Sequence, residues 1–309
     1  MDWVTYKYCI LQNMRWAAKL GWQPADFDSS QFDKTLVDHI FAFQTGFANL
    51  KDDGICGPLT FRRLLTEKES KTPVISLQPP ERRIPQKTII INGKASFIRW
   101  ERVNNLIHNG TYALPRGFRK WEKEKRPVKM IVTHWDVCLS AKSCRNVLKK
   151  KGISSHFVID NDGTICQMVD PQHEALHAGS RRTNRPSIGI DISNAYYPKY
   201  QKWYIKNGHG ARPVLTSRVH GKTVGPHLGW YPVQLEAYAA LVDALSLYYK
   251  IPLECPLDEN GKLLGTVHPP AQKEKYSGVV SHYHLTKKKI DCAGLRLDLI
   301  LSDIRHRRQ

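Results

Sequence analysis

The sequence has 309 residues and a formal net charge of +19, from 47 Lys and Arg against 28 Asp and Glu. This length is typical of about two domains. A hydrophobic content of 41% supplies enough apolar surface for folded cores, which excludes a wholly disordered chain. No run approaches the roughly 18 apolar residues of a membrane span, and the first residues lack the basic and apolar regions of a secretory signal. The charge predicts an acidic partner, which is nucleic acid, an anionic membrane or an anionic polymer such as a cell wall.

The excess charge is confined to one part of the chain. Residues 1–70 contain 8 basic and 9 acidic residues, a net charge of −1. The remaining residues contain 39 basic and 19 acidic ones, a net charge of +20. This asymmetry predicts two modules with different functions. The 7 cysteines include Cys138 and Cys144, which can approach each other, and the odd number leaves at least one thiol free.

Helical periodicity dominates the first module. Apolar residues at spacings of three and four predict one buried face of a helix. These residues are Leu36, Ile40, Phe43 and Phe47. Two turn dipeptides, Asp-Gly and Gly-Pro, follow in residues 51–65, and Thr60 is predicted to cap a short second helix.

An aromatic-Gln pair in the first module is followed by the pattern Asp-Gly-Ile-x-Gly-Pro-x-Thr. The residues of this motif are Phe43, Gln44, Asp53, Gly54, Gly57 and Thr60. Their order resembles the three-helix peptidoglycan-binding domain that accompanies many wall hydrolases, and the resemblance covers residues 30–65. It implies that residues 1–68 form a small three-helix module that binds the wall through these side chains. The alternative is a solvated loop without a ligand.

The stretch after this module separates it from the rest of the chain. Residues 69–87 are charged and contain Pro79, Pro80 and Pro85, which oppose a helix. We therefore predict a semi-stiff linker over 69–87 and a second module over residues 88–309.

Strands alternate with helices in the second module, which predicts an α/β domain with a mostly buried sheet. The predicted strands and hairpins lie in residues 88–100, 128–136, 155–170 and 187–194. Ser140 and Gly152 are predicted to cap one helix, and Pro232 is predicted to begin a longer helix. Residues 198–230 and 253–275 are polar and contain Gly and Pro, which predicts long loops.

Two histidines and one aspartate of this module have the composition of a catalytic zinc site. His134 lies at the end of an apolar strand, His282 follows two valines, and Asp291 lies nine residues later. Two imidazoles and a carboxylate leave a fourth tetrahedral position open for water, and zinc can lower the pKa of that water to about 7. A histidine at a strand end is more often structural than a ligand, so the trio alone does not establish a metal site.

The order of motifs in the second module resembles the zinc-dependent N-acetylmuramoyl-L-alanine amidases, the family of phage endolysins and bacterial wall-recycling amidases. The motifs are His134 after its strand, SHFVIDNDGTICQMVD (155–170), LHAG (176–179), SIGID (187–191), the Pro232 helix and SHYHLTKKKIDCAG (281–294). The resemblance extends over residues 88–305. It implies a mixed central sheet flanked by helices and one zinc ion.

The resemblance also implies a role for individual residues. His134 and His282 match the first two zinc ligands of the family, and Asp291 matches the third. Lys289 matches a family lysine that can stabilise the developing oxyanion. Asp191 stands where many members carry Glu, and a carboxylate there would pass a proton from the zinc water to the leaving amine.

The sequence also offers further candidate site residues and alternatives to those just named. His177 and Asn194 are predicted to contact substrate, although support of a zinc ligand from behind is the alternative for His177. Cys292 is the alternative third ligand, and His284 is the alternative to His282. Asp191 could instead be a strand carboxylate bonded to backbone, and His156 is predicted to be structural.

The two modules together predict an endolysin-like peptidoglycan hydrolase. It would cleave the amide bond between N-acetylmuramic acid and L-alanine with a zinc-activated water. One alternative is a non-catalytic peptidoglycan-binding or recognition protein on the same fold. Another is an amidase-fold hydrolase that cuts within the stem peptide.

Several expectations about partners accompany this prediction. Bacterial peptidoglycan is the expected partner, and the basic second module is expected to be attracted to an anionic envelope surface. Lysine runs at 149–151 and 287–289 have no nucleic-acid-binding signature beside them, which predicts no specific nucleic acid partner. We expect a monomer without a signal peptide. We also expect that a phage encodes the protein, that it is made in the host cytoplasm, and that it acts on the wall after release.

Overall fold

A computed structural model of the chain describes residues 3–71, 87–107, 110–122 and 125–309. The chain divides into two compact units, residues 1–72 and residues 73–309. Within the described residues, no helix has both the length and the apolar character needed to cross a membrane. The wall-binding and catalytic functions assigned to the two units stay predictions.

The first unit contains three α-helices in its described part. They are α1 (Trp3–Leu20), α2 (Lys34–Thr45) and α3 (Pro58–Lys71). The Asp33 side chain caps α2 by accepting a hydrogen bond from the Leu36 backbone N–H at 2.9 Å. Leu36 and Ile40, from the predicted apolar face, are fully buried in a core with Trp22 and Phe61.

Two boundaries in the first unit differ from the predictions. Thr60 lies inside α3 rather than at its N-cap, because Pro58 occupies the first helical position, where its fixed φ angle is favourable. The helix continues to Lys71, so the first three residues of the predicted linker 69–87 are helical. Good helix formers such as Glu69 favour this continuation of the helix. Residues 72–86 of that linker lie outside the described residues.

The second unit contains twelve strands in its described part. They are β1 (Thr88–Ile91), β2 (Lys94–Phe97), β3 (Val103–Asn104), β4 (Phe118–Arg119), β5 (Met130–Trp135), β6 (Phe157–Ile159), β7 (Ile165–Gln167), β8 (Glu174–Ala175), β9 (Ser187–Ile192), β10 (Val214–Val219), β11 (Lys222–Leu228) and β12 (Gly278–Ser281). Its described helices are α4 (Ala141–Lys151), α5 (Arg181–Asn184), α6 (Gln201–Lys206), α7 (Pro232–Tyr249), α8 (Pro269–Gln272) and α9 (Leu297–Arg308).

Six of these strands form a mixed central sheet in the order β12-β5-β9-β6-β7-β3. Strands β12, β5, β9 and β6 are parallel, whereas β6 and β7 form an antiparallel hairpin. Strands β5, β9 and β12 are buried along their whole length, as expected for a sheet covered on both faces. The predicted α/β class with a mixed central sheet is confirmed.

Register places functional candidates on one face of this sheet. Paired residues of adjacent strands point to the same face, and His134 of β5 pairs with Asp191 of β9. Helix α7 packs against the opposite face, where the Tyr238 hydroxyl lies 2.6 Å from the Thr133 hydroxyl. The carboxyl ends of β5, β9 and β12 meet at the same edge, and a site can form there.

Local signals account for several of these elements. Asn92 and Gly93 both have positive φ angles, 53° and 68°, as the tight β1–β2 turn requires. Ser140 caps α4 by accepting from the Ser143 backbone N–H at 3.2 Å, and Gly152 ends that helix in the left-handed conformation. These predictions are confirmed.

The prediction of a long loop over residues 198–230 is wrong. The segment contains α6 and the antiparallel hairpin β10–β11, which turns at His220 and Gly221. A register shift between Leu215 and Ser217 interrupts the alternation of the hairpin. The other predicted loop, 253–275, contains the short helix α8 and an isolated bridge between Leu257 and Leu263.

Candidate active site

Three buried side chains converge at the carboxyl edge of the sheet. The Nδ1 atoms of His134 and His282 are 3.0 Å apart. Asp291 Oδ2 lies 3.0 Å from the first of these nitrogens and 3.1 Å from the second. One ligand atom of each residue lies within 4.8 Å of the others, and all three residues are buried. Two imidazole nitrogens and one carboxylate oxygen are a donor set that zinc prefers.

The strands and one loop hold these three side chains in place. His134 lies near the end of β5, and His282 follows the last residue of β12, the neighbouring strand. Asp291 comes from the loop after β12, and its backbone carbonyl accepts a hydrogen bond from Tyr283 N–H at 3.0 Å. This bond ties the Asp291 loop to the turn that carries His282.

The protonation states of the cluster suit metal binding. Burial lowers the pKa of His282 below its usual value, although the Asp291 carboxylate acts in the opposite direction. Burial acts to raise the pKa of Asp291, but charge and hydrogen-bond interactions with His282 and His134 outweigh it and hold that pKa well below its usual range. A neutral imidazole and an ionised carboxylate are the forms that bind a metal.

A chain of hydrogen bonds supports His134 from behind. If its Nδ1 is to coordinate a metal, the proton of neutral His134 lies on Nε2, which is 3.0 Å from His177 Nδ1. His177 Nε2 lies 3.2 Å from Ser187 Oγ, and Ser187 donates to the Thr183 carbonyl at 2.5 Å. The chain fixes both the tautomer and the ring orientation of His134.

His177 packs directly on the sheet at a glycine. A Cβ atom on Gly189 would lie 2.6 Å from the His177 Cγ atom, closer than real contacts allow. Gly189 and Ser187 lie on the same face of β9, two residues apart. The structure thus places His177 behind His134, in the position that the alternative interpretation gave it.

Asp191 lies beside the cluster rather than in it. It pairs in register with His134 and is 8% exposed. Within the described residues, no hydrogen bond to its carboxylate is found, and the group of possible metal ligands does not include it. Its charge contributes to a raised pKa at Asp136 and Cys292. The carboxylate is therefore near the cluster and is not bonded to the backbone of the described residues.

Lys289 lies close enough to influence the cluster. It is partly exposed, and its charge helps to lower the pKa of His282. Its backbone is fixed on both sides, because its N–H donates to the Thr286 carbonyl at 3.3 Å and its carbonyl accepts from His220 Nε2 at 2.9 Å.

Comparison with known proteins agrees with this geometry. The sequence model of N-acetylmuramoyl-L-alanine amidases matches residues 124–292, which is more than half of the chain and includes all three clustered residues. The chain belongs to the N-acetylmuramoyl-L-alanine amidase family. The resemblance found in the sequence is thereby confirmed. The comparison with curated proteins gives no match.

Several solved amidase structures are similar to this chain. The E. coli amidase AmiD in complex with a substrate shares 22% identity over 43% of this chain and 49% of that chain, with a TM-score of 0.30. This chain thus spans about half the length of AmiD. The amidase LysC from Clostridium intestinale shares 16% identity over 64% of this chain and 94% of that chain, with a TM-score of 0.37. A mutant endolysin from Bacillus subtilis shares 16% identity over 62% and 96%, with a TM-score of 0.34.

The alternative ligands lie outside the cluster. Cys292 is fully buried, burial raises the pKa of its thiol well above the usual value, and among the described residues only Asp291 completes the group with the two histidines. His284 is turned away, since its Nε2 lies 2.7 Å from the Leu264 carbonyl and its Nδ1 accepts from Ser281 N–H. Burial lowers the pKa of His284 to about 4.

Two further predicted candidates have structural contacts. His156 Nδ1 accepts from the Gly189 N–H at 2.9 Å, and its Nε2 lies 3.0 Å from the His173 carbonyl. Asn194, predicted to contact substrate, is fully buried, and its amide donates to the carbonyls of Leu228 and Gly229. The structure therefore does not place Asn194 where substrate can reach it, because its side chain anchors the end of β11.

Some residues near the site were not found from the sequence. Asp136 is fully buried and accepts hydrogen bonds from Asn194 N–H and Ser193 Oγ. Burial, with the nearby Asp191 carboxylate, raises the pKa of Asp136 to about 7. Ser187 was also missed, although its position two residues before Gly189 on β9 could have placed it on the site face. Cys138 and Cys144 are both free and buried.

Two buried arginines fix the loops around the site and were also missed. Arg126 donates to the carbonyls of Pro171, Arg185 and Ser187, and burial lowers its pKa to about 10. Arg212 donates to the Ser193 carbonyl and to Asn161 Oδ1. Both guanidinium groups satisfy backbone oxygens that would otherwise be buried without partners.

The predicted wall-binding residues hold a loop in the first unit. Gln44 Oε1 accepts from Gly54 N–H at 2.8 Å, and Gln44 Nε2 lies 3.0 Å from Thr60 Oγ1 and 3.2 Å from Asp53 Oδ1. Four of the six predicted residues line a groove of about 300 Å³, together with Tyr8, Trp16 and Leu59. Those four are Gln44, Asp53, Gly57 and Thr60. Phe43 instead packs against the core, and Gly54 does not line the groove.

Proposed function

We propose that the second unit hydrolyses the amide bond between the lactyl group of N-acetylmuramic acid and L-alanine, with one zinc ion held by His134, His282 and Asp291. The observation that carries this proposal is the buried His-His-Asp cluster. Its side chains contact one another at 3.0–3.1 Å and have ionisation states that suit a metal. A buried carboxylate beside two imidazoles is costly unless it is compensated, and a bound cation compensates it.

When bound, zinc supplies a Lewis acid and a water that is nucleophilic at neutral pH. The residues of the chain then act on the proton and on the developing charge. The Asp191 carboxylate accepts a proton from the attacking water and delivers it to the nitrogen of L-alanine. The carbon–nitrogen bond breaks, which leaves a carboxyl group on the lactyl side and a free amine on the peptide.

Lys289 and His177 complete the proposed machinery. The Lys289 ammonium donates a hydrogen bond to the carbonyl oxygen as negative charge develops on it. His177 does not touch the substrate in this proposal, because it positions His134 through the hydrogen-bond chain to Ser187. Asp291, rather than Cys292, is the proposed third ligand.

The first unit is proposed to bind peptidoglycan through the groove beside Gln44 and Asp53. The motif that the sequence shares with wall-binding domains supports this, and so do the aromatic and polar side chains that line the groove. The basic second unit adds general attraction to an anionic envelope. We further propose a phage-encoded lysin that acts as a monomer on the wall after release from the host cytoplasm, by analogy with the endolysins of the family.

Product analysis tests the bond that is cleaved. The zinc-loaded full-length protein is incubated with purified sacculi, and the soluble products are identified by mass spectrometry. We expect glycan with free lactyl carboxyl groups and intact peptides that begin with L-alanine. Peptides that begin at a later residue would support cleavage within the stem instead. Binding without any product would support a non-catalytic recognition protein.

A further inference from the structure

A pocket of about 480 Å³ lies in the second unit, apart from the His-His-Asp cluster. Its lining comes from the β1–β2 turn, from β4 and the residues after it, and from the segment between β7 and β8. Strand β7 is antiparallel to β6, whereas β6 is parallel to β9 and β9 to β5. The chain therefore leaves β7 towards the amino edge of the central sheet, opposite to the edge that carries the cluster. The volume is in the range of about 300–1,000 Å³ that is usual for small-molecule sites.

Three flat rings line this pocket. The Trp121 ring is partly exposed, and the Arg185 guanidinium lies over it, 5.2 Å from the ring centroid. The Trp121 backbone N–H donates to His173 Nδ1 at 3.2 Å, and the His173 ring stacks on the Phe118 ring at an interplanar angle of 11°. Within the described residues, the Trp121 indole N–H has no hydrogen-bond partner. The pocket thus has an aromatic wall whose position is fixed by contacts within the chain.

Backbone hydrogen bonds fix another part of the pocket. The buried Asp170 carboxylate accepts from the N–H groups of Asn92 at 2.9 Å, Gly93 at 2.8 Å and Gln172 at 2.8 Å. These bonds attach the β1–β2 turn to the segment after β7. Because they are all made within the chain, they preorganise this part of the pocket, and a ligand does not have to order it.

The charges of the pocket favour an uncharged ligand. In a chain with a net charge of +19, the lining contains one basic residue, Lys120, and two acidic ones, Glu122 and Asp170. Burial lowers the pKa of His173, so its ring is neutral near pH 7. Within the part of the chain that the structure describes, the side chains of Asn92, Lys120 and Glu122 have no hydrogen-bond or ion-pair partner. They offer an amide, an ammonium and a carboxylate to a ligand.

We propose that this pocket binds an uncharged N-acetylhexosamine of the peptidoglycan glycan strand, with Trp121 as the stacking residue. A sugar ring presents C–H groups on its faces, which pack on aromatic rings, and hydroxyl and acetamido groups at its edge, which need both donors and acceptors. A phosphate or carboxylate ligand is disfavoured beside Glu122 and Asp170. The inference rests on the proposed function for the identity of the polymer, because glycan strands are part of the proposed substrate.

A sugar site at this edge of the sheet acts on the polymer and not on a short substrate. A glycan strand carries many sugars, so one strand or its neighbour can occupy the pocket while a stem peptide lies at the cluster. Two linked contacts raise the overall affinity without any change at either site. A soluble muramoyl peptide is held at the cluster alone. Changes in the pocket should therefore alter the binding of sacculi and leave the kinetics of the soluble peptide unchanged.

Tryptophan resonances test the site directly. The full-length protein, with its 8 tryptophans labelled at the indole nitrogen for NMR, is titrated with a linear tetramer of N-acetylglucosamine. This probe has neither a stem peptide nor an amide bond for the reaction to cleave. The Trp121 resonance is assigned by its loss in Trp121→Phe. We expect a saturable shift at Trp121 and none at Trp203, a partly exposed tryptophan of α6 outside the lining. Trp16, in the groove of the first unit, separates binding there from binding in the pocket.

Trp121→Ala should weaken the sugar contact without unfolding the unit. We expect its affinity for the tetramer to fall about tenfold, the scale for truncation of an aromatic anchor, and its binding to sacculi to decrease. Trp121→Phe should retain most of the affinity, and Lys120→Ala should weaken it by about threefold. Trp203→Ala is the matched control and should bind as the unmodified protein does. The other indole resonances should keep their positions in Trp121→Ala, which shows that the fold is intact.

Three results would overturn the assignment of the pocket. They are a tetramer that shifts Trp16 but not Trp121, an equal loss of affinity in Trp203→Ala, and an equal shift of Trp121 with a tetramer of glucose, which lacks the acetamido groups. The outcome is independent of the reaction. Sugar binding that depends on Trp121 in a protein without amidase activity would retain the pocket and refute the proposed function. Normal amide hydrolysis without a shift at Trp121 would refute the pocket alone.

Discussion

One set of buried polar side chains in each unit can be compared, and the two sets have different roles. In the first unit, Asn13 and Gln44 are buried, and their amides bond to backbone groups of one loop, including the Gly54 carbonyl and the Cys56 N–H. In the second unit, His134, His282 and Asp291 are buried against one another. A network that ends on backbone atoms stabilises a fold without further partners. In the second cluster, imidazole nitrogens and a carboxylate oxygen face one another and can coordinate a metal ion, which is why the cluster indicates a site.

The largest expected effect concerns the base in the second unit. Asp191→Asn removes the proposed proton acceptor while it preserves the size of the side chain, so kcat should fall by about 10²–10⁴-fold. The zinc content should remain that of the unmodified protein, because Asp191 lies outside the ligand group. Asp191→Glu, which restores the residue common in the family, is the control and should retain activity. Full activity of Asp191→Asn would assign this carboxylate a structural role.

Acid should destabilise the second unit before the first. The pKa of His284 is lowered to about 4 by burial, and that of His156 is also lowered by burial. Since an unfolded histidine titrates near 6.5, the unfolded chain takes up protons below that pH while the folded unit does not. The stability is therefore complete above pH 6.5 and is lost as the pH falls towards 4, by about 3 kcal/mol for His284 alone.

Hydrogen exchange of the full chain can measure this difference, read separately for residues 3–71 and 87–309 at pH 7.5 and 5. The first unit contains a single histidine, His39, which is exposed, and its protection should change less. Equal loss of protection in both units, after correction for intrinsic exchange rates, would contradict the assignment of acid sensitivity to the buried histidines.

Gln44 tests whether the loop network of the first unit is structural. Gln44→Ala leaves the buried Gly54 N–H and the Thr60 hydroxyl with fewer partners, which should lower the stability of that unit by about 2 kcal/mol. Exchange protection of residues 3–71 and binding to sacculi should both decrease. Hydrolysis of a soluble muramoyl peptide should be unchanged, because the reaction is assigned to the second unit. A loss of that activity would contradict the assignment of wall binding to the first unit and of the reaction to the second.

His177 should have the smallest of these effects. His177→Ala removes the partner of His134 Nε2, and zinc affinity should fall by about tenfold, at the lower end for such supporting residues. Ser187→Ala, one bond further from His134, should have a weaker effect in the same direction. The measurement is competition for zinc with a chelating dye, which does not depend on turnover. Unchanged affinity with a raised KM would instead support the predicted substrate contact.

Local signals made much of the second unit predictable. The turn at Asn92 and Gly93, the caps of α4 and the buried run of β5 each depend on a few adjacent residues. The hairpin β10–β11 was missed because its alternation is broken near Thr216, and because β11 contains Gly225 and Pro226, which are unfavourable in most strands. Its packing against Gly294 is a long-range contact without a local signal.

The site was predictable in its composition but not in its contacts. The order of motifs identified His134, His282 and Asp291, and the structure brings their ligand atoms together. The places of His177 and Asn194 could not be derived from the sequence, because they depend on how the 176–187 loop and the end of β11 fold onto the sheet. The same is true of Arg126, whose carbonyl partners lie 45 to 61 residues away along the chain.

The dependence of amide hydrolysis on metal tests the central claim most directly. Amine release from purified sacculi is measured for the full-length protein as prepared, after metal removal and after return of zinc, with metal analysis of each sample. We predict that release is lost on metal removal and is restored by about one equivalent of Zn²⁺, and that zinc does not restore His134→Ala. Normal release by a protein that is free of metal would contradict the account.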